Sequence, residues 1–203
     1  MQHAQGPCVI ILGVLALSCD AGTLHHQRDP GALVVAQAAD ISGLDLVRVS
    51  DSESIEVGEI LFEGLARWRP GTTDVEPGLA TAWRVSPDGL RWTFELRDGV
   101  VFHDGTPLDA DAVVFSFERV IDPDHPSYVR GDDGLYWRGR LKDVKRVRAR
   151  GRRGVEIEVE RPYAPLIGEL AMFPIVSPAA VRRWRDDFRL HPVGTGAFAF
   201  ESW

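Results

Sequence analysis

The sequence predicts a mixed α/β fold, and three observations carry that prediction. Two pairs of strand-like segments, within 83–96 and 146–159, double back through glycine-containing turns. The stretch after Asp109 spaces its apolar residues as one face of a helix. The chain has 203 residues, 44% hydrophobic and 26% charged, enough to bury a sizeable core in one or two domains. A net charge of −7 speaks against nucleic acid as a main partner. Both cysteines, Cys8 and Cys19, precede residue 20, so no disulfide framework can hold the folded body.

From the start of the chain, Cys8 to Leu17 (CVIILGVLAL) is apolar apart from Gly13. A bilayer-spanning helix needs about 20 apolar residues, so this run has the length of an export signal's hydrophobic region. It ends in Ala16-Leu17-Ser18-Cys19, and a small residue before Cys19 resembles the lipobox of bacterial lipoproteins, in which that Cys becomes the lipidated N-terminus. The third residue before Cys19 is Ala16, where Leu is usual, and residues 1–7 carry no Lys or Arg. The alternative is an ordinary secretory signal cut after Ser18, and both imply export. Residues 1–19 read as a signal, and 20–31 as a flexible tether.

Ala32 to Ala39 (ALVVAQAA) has strand length. Residues 52–66 place Ile55, Ile60, Leu61 and Leu65 near helical spacing, with Gly64 near the end. Trp83–Val85 and Leu90–Leu96 flank Ser86-Pro87-Asp88-Gly89, a type I turn pattern; Trp92, Phe94 and Leu96 share one face. After a turn at His103-Asp104-Gly105, Asp109 caps a helix with Asp111 in its first turn and a stripe of Ala110, Val113, Val114, Phe117, Val120 and Ile121. The nine basic residues within 138–153 suggest a polyanion site, but Arg146, Arg148 and Arg150 fall opposite Glu156, Glu158 and Glu160 across a turn at 151–154. That is a solvated hairpin face. Ser177 caps a helix that starts with Pro178 and runs through Val181, Trp184 and Phe188. Ala197 to Trp203 reads as a strand with Phe198 and Phe200 on one face; a natural domain rarely ends mid-strand, so the sequence predicts an incomplete unit.

No residue pattern predicts catalysis, a metal site or a cofactor. His103-Asp104 lacks ligand spacing and is better explained by its turn. Gly194-Thr195-Gly196 lacks the Lys and the helix of a phosphate loop, and reads as a tight crossing of the chain.

Leu61-Phe62-Glu63-Gly64-Leu65, Pro77-Gly78-Leu79-Ala80, Trp83 with Val85–Gly89, the long run WTFELRDGVVFHDGTPLDADAVVFSFERVIDP (Trp92–Pro123), Tyr163-Ala164-Pro165, Ile175–Pro178 and Pro192–Phe198 occur in this order. Together they resemble the family 5 solute-binding proteins, the dipeptide, oligopeptide and nickel-binding components of ABC importers. The resemblance implies a type II periplasmic-binding-protein-like fold of two lobes closing on a ligand, with a small α+β domain added to the first lobe. It implies that 32–62 and 189–203 belong to the first lobe, left incomplete, and 63–188 to the extra domain. It further implies capture of a peptide or peptide-like solute on the outer side of the cytoplasmic membrane, in the periplasm or at the extracellular face. The partners would be an ABC permease with its ATPase subunits, and the membrane through a lipid on Cys19. A nickel chelate, a sugar or an opine is the alternative ligand, and a chain that binds nothing the alternative role. Two places match cleft-facing regions of the family: Ser50-Asp51-Ser52 and Tyr128. Asp51 could meet a ligand amine, although a loop Asp before a helix is more often a cap. Tyr128 offers an apolar face and one hydroxyl at low entropic cost.

Overall fold

The computed structural model describes residues 32–203. The signal, Cys19 and the tether expected over 1–31 lie outside the described residues. Helix α1 (Ser52–Leu61) comes first, then the short strands β1 (Ala66–Trp68) and β2 (Val75–Pro77), which pair with each other. Strands β3 (Ala80–Val85) and β4 (Arg91–Leu96) form the first expected hairpin. Helix α2 (Ala110–Ile121), helix α3 (Leu135–Arg140) and strands β5 (Val144–Arg150) and β6 (Gly154–Val159) come next. Two helices follow, α4 (Leu166–Met172) and α5 (Pro178–Trp184); the helix expected to reach Phe188 ends at Trp184, where Arg185 takes a positive φ of 50° and 3-10 turns continue to Leu190. The main sheet is antiparallel, in the order β3-β4-β6-β5.

Alternation dictates how that sheet is buried. In β4, Trp92, Phe94 and Leu96 point inward while Arg91, Thr93 and Glu95 face solvent. In β6, Val155, Ile157 and Val159 do the same. At the 86–89 turn, Gly89 N–H donates to the Ser86 carbonyl at 2.8 Å with φ 71°, a conformation that favours glycine. The β5–β6 register sets Arg146 against Glu158 and Arg148 against Glu156. Direct ion pairs join Arg150 to Glu156 at 2.7 Å and Lys145 to Glu158 at 3.0 Å. The basic run is answered locally, although Glu156 is reached diagonally by Arg150 rather than by the residue opposite it.

Helix α2 lies between two cores and is buried on more of its circumference than its stripe predicts. Ala110, Val113, Phe117 and Val120 enter the core against the sheet, together with α4 and Phe173. Burying a side chain such as Phe117 contributes about 1.5–3 kcal/mol. Phe115 turns the other way, into a second core of Ile41, Leu44, Leu61, Phe62, Val181 and Phe188. Asp109 caps the helix by accepting from Ala112 N–H at 3.0 Å. Ser177 caps α5 by accepting from Ala180 N–H at 3.2 Å.

Beside Phe115 sits a buried ion pair. Arg119 and Asp45 are each 1% exposed, and the guanidinium donates Nη1 to Oδ1 at 3.0 Å and Nη2 to Oδ2 at 2.6 Å. Arg48 Nε reaches the same carboxylate at 3.2 Å, and Arg119 lies 5.6 Å from the centre of the Phe188 ring. The pair ties α2 to the 41–49 segment, where Trp137 Nε1 also donates to the Leu46 carbonyl at 3.1 Å.

Three further expectations are corrected. The run 32–39 forms only an isolated bridge at Leu33, and Leu33, Val34 and Val35 are exposed; among the described residues no strand lies beside it to complete a ladder. Residues 197–203 form no strand either, though Phe198 N–H donates to the Ile60 carbonyl at 3.2 Å, and Phe198 and Phe200 both pack on the second core. Helix α1 stops at Leu61 instead of running to 66, because Phe62 turns extended and Gly64 passes directly against the Leu170 carbonyl. The 194–196 crossing is as tight as its glycines suggest. A Cβ on Gly194 would collide with the Leu61 carbonyl, and one on Gly196 with the Ile60 carbonyl.

Asp45→Ala strands a buried guanidinium and is expected to destabilise the fold by about 3–5 kcal/mol in urea denaturation, whereas the apolar pair Asp45→Leu with Arg119→Met recovers most of that loss. Gly194→Ala is expected to lower the same stability by about 1–3 kcal/mol, read from the urea midpoint at unchanged slope.

Candidate functional site

The Ser50–Ser52 loop enters α1, and its chemistry is that of a helix start. Asp51 has extended backbone and accepts from Ser54 N–H at 2.8 Å through Oδ1. Its Oδ2 accepts a short bond from the Ser42 hydroxyl. Ser52 donates to Glu53 at 3.1 Å, and Ser50 is exposed. Burial pushes the Asp51 carboxyl upward, but the bonds from Ser42 and Ser54 outweigh it and hold the group below the usual aspartate value. Both carboxylate oxygens are therefore engaged, one by the first turn of α1 and one by Ser42.

Tyr128 lines a cleft whose walls do not include Ser50, Asp51 or Ser52. It ends a compact bend in which His125 N–H donates to the Asp122 carbonyl at 3.0 Å and Tyr128 N–H to the His125 carbonyl at 2.9 Å. Val129 N–H then donates to the Arg119 carbonyl at 2.8 Å, fixing the bend to the end of α2. The Tyr128 ring lies 5.9 Å from the guanidinium of Arg130 and 5.7 Å from that of Arg138. It lines an open cleft of about 670 Å³ with Ser127, Arg48, Arg130, Arg182 and Arg185. Tyr128 thus lies on the wall of a cavity with convergent polar groups. The arginines gave no local signal in the sequence, since they come from separate segments of the chain.

A second cleft of about 680 Å³ lies where α1 ends, with Ile60, Phe62, Trp68, Tyr136, Trp137 and Thr195 on its walls. It is the more apolar of the two, and it borders the 194–196 crossing. His103 and Asp104 belong to neither cleft. Asp104 accepts from Thr106 N–H at 3.0 Å, from the Thr106 hydroxyl at 2.6 Å and from the Ser177 hydroxyl at 2.6 Å. His103 Nε2 lies 2.9 Å from the Gly196 carbonyl. These are turn and latch contacts.

Asp51→Ala is expected to lower stability by about 0.5–2 kcal/mol at neutral pH, as a lost helix cap. Because the folded-state pKa of Asp51 lies below its ordinary value of 3.8, its stabilisation is complete above that value and is lost as pH falls through the folded pKa. Urea denaturation of the wild type and the variant should therefore stay apart down to pH 3.8 and draw together only as the pH falls further.

Residues 74–203 match the sequence model of the bacterial extracellular solute-binding proteins, family 5 Middle. The chain is 32% identical over 203 residues to Di/tripeptide-binding protein 2 of Pseudomonas aeruginosa (strain UCBPP-PA14), covering 92% of this chain and 38% of that protein. It is 34% identical over 206 residues to Di/tripeptide-binding protein 4 of the same strain, with the same coverage. The fold superposes on the ABC transporter-associated periplasmic binding protein DppA from Helicobacter pylori, solved in complex with the peptide STSA. That match has a TM-score of 0.75 and 34% identity, over 81% of this chain and 35% of that one. The chain thus spans a little over a third of the length of the relatives it matches. Sheet, helices and sequence agree on one lineage: this chain belongs to the bacterial extracellular solute-binding proteins of family 5.

Proposed function

We propose that the protein to which this chain belongs captures short peptides outside the cytoplasmic membrane and delivers them to an ABC importer. The observation that carries this is the 34% identity and shared fold with a binding protein solved holding a peptide. The two di/tripeptide-binding relatives point to the same ligand class. A peptide is held chiefly through strand-like backbone bonds, with charged groups at its ends. Closure of two lobes about a hinge then favours the occupied state, because ligand contacts both lobes only when closed. Family and relatives are binding proteins, so the role is capture and transfer rather than catalysis.

In this reading 32–62 and 189–203 contribute to the first lobe, and 63–188 form the added domain. Tyr128 supplies an aromatic wall to the ligand, while the Ser50–Ser52 loop shapes the approach with Asp51 serving as a cap. The periplasm is the working compartment, with Cys19 as the lipid anchor and a permease with its ATPase subunits as partners.

Calorimetric titration of the protein with di- and tripeptides is expected to show binding, and Tyr128→Ala to weaken it about tenfold, some 1.4 kcal/mol. Absence of heat from every peptide would sink the peptide reading. Heat from a nickel–histidine chelate alone would move the ligand class to metal complexes.

A further inference from the structure

The cleft beside Tyr128 concentrates positive charge in a chain whose net charge is −7. Arg48, Arg119, Arg130, Arg182 and Arg185 line it, and Asp186 is the one acid on its wall. Two of these guanidiniums are already answered: Arg119 by Asp45, and Arg48 by Asp45, Asp133 and Asp186, the last at 2.9 Å. Arg130, Arg182 and Arg185 form no ion pair with any described residue. Arg130 instead lies over Tyr128, and Arg182 stands 4.9 Å from the centre of the Phe115 ring. Like charges gathered around a concavity repel one another unless a counter-charge comes from outside.

Two independent observations point the same way. Arg119 is 1% exposed, yet its Nε has no hydrogen-bond partner among the described residues. An orphaned buried donor is uncommon, and this one belongs to a residue on the cleft wall. Arg185 is the sole described non-glycine residue with positive φ, at 50°, directly after α5. Backbone strain of this kind persists where the surroundings hold it in place, and it gathers at ligand-binding positions. The local field is also felt at His125, edge-on to Phe115 at 4.9 Å. Burial first holds its imidazole below the usual histidine value; Asp122 opposes this, and Arg119 and Arg182 reinforce it.

From this geometry we infer that the Arg130–Arg182–Arg185 cleft is a carboxylate subsite that selects ligands bearing an acidic side chain. The inference rests on the peptide-binding reading for the rest of the ligand. A guanidinium presents a planar fork of donors that matches a carboxylate, which an uncharged amide of the same shape cannot replace. The subsite therefore discriminates Glu from Gln on a peptide rather than merely attracting peptides in general.

The test is calorimetric titration of the whole protein with Ala-Glu, Ala-Gln and glutarate, before and after the double substitution Arg182→Gln/Arg185→Gln. Both arginines are exposed, and an unchanged melting temperature would show that the variant folds. Ala-Glu is expected to bind at least tenfold more tightly than Ala-Gln, with the ratio falling toward one in the double variant. Arg182→Lys/Arg185→Lys should restore part of the preference, as charge without the fork. Equal affinity for the two dipeptides, or a preference that survives the double substitution, overturns the subsite while leaving peptide capture intact. Binding of glutarate alone, lost in the double variant, keeps the carboxylate subsite and removes the peptide reading. No binding of any of the three overturns both.

Discussion

The pairing of Asp45 with Arg119 is the constraint around which the two cores are arranged. A guanidinium and a carboxylate, both almost wholly removed from water, are tolerated only when their donors and acceptors meet in good geometry. That requirement fixes the rotation of α2, because Arg119 must face the 41–49 segment while Phe117 and Val120 face the sheet. It also fixes the 122–130 bend, which hangs from the Arg119 carbonyl through Val129. An apolar pair would hold the cores together as firmly. It would not impose one register between α2 and the segment that precedes α1.

Local chemistry was the readable part of this molecule. The Ser86–Gly89 turn, the Asp109 and Ser177 caps and the inward faces of β4 and β6 arise from neighbours a few residues apart, and each stands as the residues predict. Long-range pairing was not readable. Nothing near Arg119 in the chain marks it as buried, since its partner lies 74 residues away. The apolar run at 32–39 shows the converse error: strand composition is necessary for a strand, but a ladder also needs a neighbour. The 197–203 segment fails in the same way, keeping its apolar face while forming only scattered backbone bonds.

The candidate site divides along the same line. Asp51 sits in a sequence context that suits both a cap and a ligand contact, and its two oxygens are spent on Ser42 and Ser54. Tyr128 is a candidate that family resemblance alone names, and its electrostatic setting has no counterpart in the local sequence. Arg48, Arg130, Arg182 and Arg185 are unremarkable one at a time, and only the packing of α5 beside the 122–130 bend turns them into one charged wall. The basic run at 138–153 is the opposite case: conspicuous in the sequence, and met by glutamates and backbone carbonyls in the fold.

The 194–196 crossing has a mechanical meaning. Its two glycines press against the last carbonyls of α1, His103 N–H donates to the Gly194 carbonyl at 2.9 Å, and Ser177 N–H donates to the Val193 carbonyl at 3.1 Å. The backbone is thus clamped from three directions at this point. The chain past Gly196 stays held to the same support, since Phe198 N–H donates to the Ile60 carbonyl at 3.2 Å. The crossing is, in effect, a fixed bearing: it sets the height at which the chain meets the end of α1, and through Phe198 and Phe200 it shares one core with Val181 and Phe188.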